Sequence, residues 1–215
     1  MNKELKVNLF FPSLVYFMEK PEWIETINKI SNEYIEKAKR RDVGLLQRRK
    51  DRYGNIGDHG MTFHSASMIE DIRLKNFKDF ITENCIQILE NQGYDLTEHL
   101  MRWTELWVQE FGKNGGGHHD THIHGNNHMS GFYFLQCSHK TSYPVFHDPR
   151  PGKLMTQLPV QKGINAAIEK IDYKIVPGTL MFFNSYLPHQ FTVDDGVEPF
   201  RFIHFNLQAI EKRIL

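Results

Sequence analysis

Two cysteines in 215 residues, Cys85 and Cys137, are too few and too far apart for a disulfide framework, and they form no C-x-x-C pair. Reduced thiols in a cytoplasmic setting are expected. An excess of one charge is also lacking, since Lys plus Arg and Asp plus Glu stand at 26 each and the formal net charge is zero. That balance excludes a generally basic nucleic-acid binder. No long apolar run occurs either. Phe10-Phe11 runs into Pro12, and no later stretch approaches the roughly 20 apolar residues of a membrane helix. Neither a signal peptide nor a membrane span is expected. Internal repeats and flexible linkers are absent. The length suits one domain over residues 1–215.

Histidine is what the chain has in concentration. Of its 12 histidines, seven fall between His118 and His147. Imidazole is a ligand for iron, zinc, copper and nickel. The richest stretch is Gly117-His118-His119-Asp120-Thr121-His122-Ile123-His124. If it is a strand, residues at i and i+2 share a face. His118, Asp120, His122 and His124 then lie together, and two of them can take adjacent corners of one coordination sphere. Parity alone leaves His118/Asp120, Asp120/His122 and His122/His124 open. The structureless reading of the cluster is a solvated loop that binds stray metal.

Apolar spacing predicts the framework. Pro21 opens a helix that carries Trp23, Ile24, Ile27, Ile30 and Tyr34 at helical intervals to about residue 39. A second helix is expected over about 69–91, with Phe77, Phe80, Ile81, Cys85, Ile88 and Leu89 as its stripe and Gly93 as its stop. The cation-rich run 37–52 reads as a solvated helix end and loop. Residues 53–65 read as a long loop able to fold over the histidines. A short helical piece is expected near 96–101. Strands are expected at 6–11, 14–17, 106–111, 129–135, 144–147, 173–176, 179–183, 190–193 and 200–207. The fold class is therefore mainly β with a helical buttress (α+β), a sandwich or barrel. N-terminal strands and helices occupy 1–102, and the β core occupies 103–210.

Two residues outside the cluster complete the picture. His189 follows a strand and a Pro-containing turn, and it is the natural third metal ligand. Arg201 lies 12 residues further on, amid Phe200, Phe202 and Phe205. A guanidinium in such surroundings needs a partner. Its planar fork suits either a ligand carboxylate or an Asp or Glu of the chain. Alternation places Arg201 with Ile203 on one face and Phe200, Phe202 and His204 on the other. The arginine face is expected to be the pocket side.

Several motifs in order then narrow the reading. They are His122-Ile123-His124, Met129-Ser130-Gly131-Phe132-Tyr133, Val145-Phe146-His147-Asp148-Pro149-Arg150, Pro177-Gly178 with Leu180 and Phe183, His189, Arg201 and Phe205-Asn206. Together they resemble a subfamily of 2-oxoglutarate–iron oxygenases common in phages and marine bacteria, within the prolyl-hydroxylase-like superfamily. The resemblance covers about residues 103–207. Gly125 stands where that subfamily usually has proline, and Phe132-Tyr133-Phe134 replaces its tyrosine pair.

The resemblance implies a double-stranded β-helix, a jelly roll akin to cupins. It implies Fe(II) held by His122, His124 and His189 as the catalytic ligands. Asp120, with His118 or His122, is the reserve carboxylate set. It implies Arg201 gripping the far carboxylate of 2-oxoglutarate, with a hydroxyl contact from Tyr133. The implied activity is an Fe(II)/2-oxoglutarate-dependent dioxygenase, a hydroxylase that couples substrate oxidation to decarboxylation of 2-oxoglutarate. Partners would be 2-oxoglutarate, O2 and a prime substrate framed by loops 41–65 and 139–162. Nucleic acid is not expected as a partner. The chain would act as a monomer or homodimer in the cytoplasm, that of the host if it is phage-encoded. The rival readings are a non-catalytic cupin-like binding module and a zinc-dependent hydrolase.

Overall fold

The computed structural model describes residue 6, residues 10–155 and residues 158–214. The expected strand at 6–11 lies largely outside these residues. The chain opens with β1 (Val15–Glu19), a 3-10 turn at Pro21–Trp23, α1 (Ile24–Arg41) and α2 (Val43–Tyr53). Next come β2 (Thr62–His64), a 3-10 turn at Ile72–Leu74 and α3 (Lys75–Asn91). The β core follows: β3 (His99–Phe111), β4 (His119–His122), β5 (Met129–Gln136), β6 (Pro144–His147), β7 (Lys170–Asp172), β8 (Thr179–Asn184), β9 (His189–Phe191) and β10 (Arg201–Glu211).

Two antiparallel sheets face each other. The larger runs β1-β8-β5-β10-β3-β2 and the smaller β4-β9-β6-β7. Strands β3 and β10 pair along their length, from Arg201 opposite Glu110 to Glu211 opposite His99, with a bulge at Asn206/Leu207. This arrangement is the expected jelly roll. The N-terminal part is not merely a buttress, because β1 and β2 supply both edges of the larger sheet.

Each face of the larger sheet is buried, so each strand is read twice. One face meets the helices: Ile27, Ile30 and Ile35 of α1 and Phe77, Ile81 and Cys85 of α3 pack on Leu106, Val108, Tyr133, Leu180, Ile203 and Phe205. The other meets the small sheet through Phe111, Phe132, Phe134, Phe146, Phe183, Phe191, Phe200 and Phe202. Aromatic rings thus fill the barrel itself, in offset and edge-on pairs such as Phe191 with Phe202 at 4.5 Å.

Gly131 marks the tightest crossing. A Cβ there would sit 2.1 Å from the Phe205 ring and 2.3 Å from the Met181 carbonyl oxygen. The second contact is backbone within the sheet and cannot swing aside. Gly131→Ala is therefore expected to cost about 3 kcal/mol in denaturant unfolding, the upper range for overpacking.

The expected α1 and α3 form, and α3 stops where Gly93 takes φ +95°. Four local expectations fail. The cation-rich run is not a loop but α2, which buries none of its residues. Leu, Gln, Arg and Lys are good helix formers, and charge does not end a helix that lies on the surface. The loop at 53–65 contains β2, which pairs with the end of β3. Residues 96–101 are not helical, because β3 already starts at His99. The strand expected at 173–176 is replaced by β7 three residues earlier.

Candidate metal centre

Strand β4 is short. It pairs with β9 through His119 opposite Phe191 and His122 opposite His189, with an irregularity between the two pairs. The chain leaves the strand after His122, and the His124 amide donates to the Ser185 carbonyl at 2.9 Å. His122 and His189 thus meet as cross-strand neighbours, while His124 reaches the same spot from the turn. The shared-face argument for residues 118–124 is corrected here: strand alternation does not extend to His124, yet the turn brings its ring in.

The three side chains His122, His124 and His189 place one ligand nitrogen each within 4.8 Å of the others. His124 Nε2 lies 3.3 Å from His189 Nε2. The ring centroids of His122 and His189 are 4.5 Å apart. Their other nitrogens are occupied. His189 Nδ1 donates to the Leu187 carbonyl at 2.9 Å, and His122 Nδ1 donates to the Asp120 carbonyl at 2.7 Å. A neutral ring whose Nδ1 carries the proton presents a bare Nε2. A ligand histidine normally has its second nitrogen held this way.

Burial favours the neutral form of the His124 and His189 rings. It pulls the His124 pKa down to about 4 and the His189 pKa down to about 3, with neighbouring histidines adding to the effect. His119 is lowered to about 4 by burial first and by the same neighbours. The walls are aromatic: Phe183 lies 4.7 Å and Phe132 5.6 Å from the His189 ring. A cavity of about 360 Å³ is lined by Phe146, Leu187, Asp148 and Arg150.

The structure separates the other expected residues from this centre. The Asp120 side chain is 97% exposed and 3.8 Å from His118, so neither belongs to the cluster. Tyr133 points to the helical layer, where its hydroxyl donates to the Lys20 carbonyl at 2.6 Å beside Trp23 and Phe77. Arg201 also points there. Its Nε donates to Glu110 Oε2 at 2.7 Å, its Nη2 binds the same oxygen, and its Nη1 reaches Ser31 and Asn32 of α1. Lys39 binds the other Glu110 oxygen at 2.7 Å.

The alternation read for β10 is correct, and the side assigned to it is not. Arg201 faces the helices because its partner is an acid of the chain on the adjacent strand. Arg201 is also the only buried arginine or lysine among the described residues. The donor set therefore fits a divalent transition metal. The Arg201 guanidinium is engaged by Glu110, Ser31 and Asn32 on the helical side.

Sequence reasoning passed over His204, Glu105 and Trp107. His204 is 1% exposed on the barrel face of β10, and its Nε2 lies 3.2 Å from His124 Nε2. The Trp107 ring lies tilted against it at 4.4 Å, and His64 from β2 lies 3.9 Å from Trp107. The signal was available, since His204 shares the parity of Phe202.

Residues 105–206 match the family model described as "Putative 2OG-Fe(II) oxygenase". No curated protein matches the sequence. Solved structures agree in fold. A prolyl-4-hydroxylase from Pseudomonas putida aligns at 11% identity over 90% of this chain and 92% of its own, with TM-score 0.51. AviO1 from Streptomyces viridochromogenes aligns at 10% identity over 91% and 90%, with TM-score 0.53. This chain spans 54% of a 2OG-Fe(II) oxygenase family oxidoreductase from Burkholderia pseudomallei, which covers 66% of this chain at 10% identity and TM-score 0.40. The likeness to the prolyl-4-hydroxylase and to AviO1 carries the fold alone, the double-stranded β-helix. The matched stretch holds β5 to β9 together with His122, His124, His189 and His204, and over it the chain is similar to the 2OG-Fe(II) oxygenase family.

Proposed function

We propose that the chain is an Fe(II)/2-oxoglutarate-dependent hydroxylase whose iron is held by Nε2 of His122, His124 and His189. The observation that carries this reading is the convergence of those nitrogens within 4.8 Å, with two of the rings locked by backbone carbonyls. A facial set of three protein ligands leaves three positions for cosubstrate and O2. Iron with 2-oxoglutarate supplies an oxidant for a substrate C–H bond as the cosubstrate is decarboxylated to succinate. The protein orients the ion and keeps water out. His122 Nδ1 and His189 Nδ1 fix their rings, and Phe132, Phe146 and Phe183 wall the buried side of His189.

Residues 1–102 would act with the β core as one unit, since both edge strands come from them. Loops 41–65 and 139–162 are the candidate frame for the prime substrate. No helix among the described residues is long and apolar enough to cross a membrane. Cys85 and Cys137, both free thiols, suit a cytoplasmic setting, that of the host if the chain is phage-encoded.

The test is anaerobic titration with Fe(II) and then 2-oxoglutarate. A visible absorption band is expected only when both are present, and air should then convert 2-oxoglutarate to succinate. His122→Ala is expected to lower Fe(II) affinity about tenfold or more and to abolish the band. Full affinity in a folded His122→Ala protein refutes the ligand assignment. Metal uptake without the band favours the zinc hydrolase or the binding module.

A further inference from the structure

The junction around His124 has more ligand atoms than a three-histidine site uses. His124 Nε2 is approached by two other Nε2 atoms, those of His189 at 3.3 Å and His204 at 3.2 Å. His189 Nε2 is bare, because its proton sits on Nδ1 facing Leu187. If His124 Nε2 carries a proton, it can satisfy His189 but offers His204 no acceptor. If it is bare, it can accept from His204 but faces His189 lone pair to lone pair. One of the two contacts therefore cannot be a hydrogen bond.

The far side of His204 is equally incomplete. Its Nδ1 is buried without a hydrogen-bond partner and lies 3.6 Å from Glu105 Oε2. That carboxylate oxygen is itself held, accepting from Asn206 Nδ2 at 2.8 Å and Trp107 Nε1 at 3.4 Å. Glu105, His124 and His204 place one ligand atom each within 4.8 Å of the others. A buried imidazole with an unpartnered Nδ1, beside an oriented carboxylate, costs free energy unless a cation joins them.

We infer that Glu105, His124 and His204 form a second metal position that shares His124 with the first, so that one divalent transition ion is held either by three histidines or by two histidines and a carboxylate. His124 offers a single nitrogen, so the two positions exclude each other and one ion binds per chain. Two histidines and a carboxylate are the donor set typical of open non-haem Fe(II) sites. The carboxylate position leaves a divalent ion with one net positive charge, and the histidine position leaves it with two. This inference rests on the ligand reading proposed above, and it adds two residues that the reading does not use.

Cobalt(II) under anaerobic conditions is the probe, read by chelator competition and by its d–d absorption. Wild type should bind one ion per chain. Glu105→Gln should bind about tenfold more weakly, and His204→Ala about 10–100-fold, the range for losing a metal-supporting contact, each with an altered d–d spectrum. His189→Ala should keep measurable binding with a different spectrum, and adding Glu105→Gln to it should abolish binding. The Glu105 side chain is 44% exposed, so its glutamine variant keeps the fold even if His204→Ala does not. Failure of wild type to take up cobalt overturns the ligand reading itself. Wild-type uptake with unchanged affinity and spectrum in Glu105→Gln overturns only the second position. Two ions per chain overturn the sharing of His124.

Discussion

Arg201→Ala should cost about 3 kcal/mol of stability and leave metal affinity where it was. The guanidinium and Glu110 are each only 7% exposed, and they are joined through Nε and Nη2. Removing one member of a buried pair strands the other charge, at a typical cost of about 3–5 kcal/mol. Lys39 still reaches Glu110 at 2.7 Å, which places the loss at the lower end. Arg201 faces α1 and not the barrel, so the histidines should not register its loss. Denaturant unfolding and cobalt titration on the same variant separate the two effects. Exchanging the pair together, Arg201→Met with Glu110→Leu, should recover much of the loss, because apolar isosteres of a buried pair are often neutral. A stable Arg201→Ala protein that has lost 2-oxoglutarate affinity would restore the arginine to the ligand.

Acid should unfold the metal-free protein well before its carboxylates titrate. The folded state holds His119 and His124 at about 4 and His189 at about 3, whereas the unfolded chain returns them to 6.5. Above pH 6.5 both states are neutral there, and the full stability is present. As pH falls below 6.5, the unfolded chain takes up protons that the folded one refuses, so stability drops. The loss continues down to the folded values near 4 and 3. One pH unit below the unfolded value costs about 1.4 kcal/mol for each ring, so three rings lose on the order of 4 kcal/mol by pH 5.5. Denaturation midpoints from pH 8 to pH 5 measure this. His124 and His189 should contribute little to any fall in the cobalt affinity of the folded protein over the same range, since their rings are already unprotonated. Stability that stays flat from pH 8 to pH 5.5 would mean that the rings are solvated and free to charge.

Periodicity made most of the framework legible. Helices α1 and α3 and strands β5, β8 and β10 show their apolar spacing plainly, and His122 and His189 could be paired across the chain from their context. Other features depend on facts that periodicity does not carry. Strand β4 ends at His122 because of an irregular pairing with β9, which no local spacing announces. The length of α2 was hidden because it buries nothing. The side taken by β10 was misjudged for a specific reason. Both layers that it faces are rich in aromatic residues, Phe202 on one and Phe205 on the other. Composition could not say which layer was the barrel. Glu110 could have, since it shares the parity of Leu106 and Val108 and offers Arg201 an acid on the helical side.

Strand β10 packs two vocabularies into one run of codons. Phe202 and His204 are spelled for the barrel, while Arg201, Ile203 and Phe205 are spelled for the helices. A point mutation there alters one message and leaves the other intact, so the two faces can drift under separate selection. An inserted or deleted codon between 201 and 204 does neither, because it exchanges the layers and ruins ion pair and metal junction at once. The lineage of this chain should therefore tolerate spelling changes in β10 and no change of length.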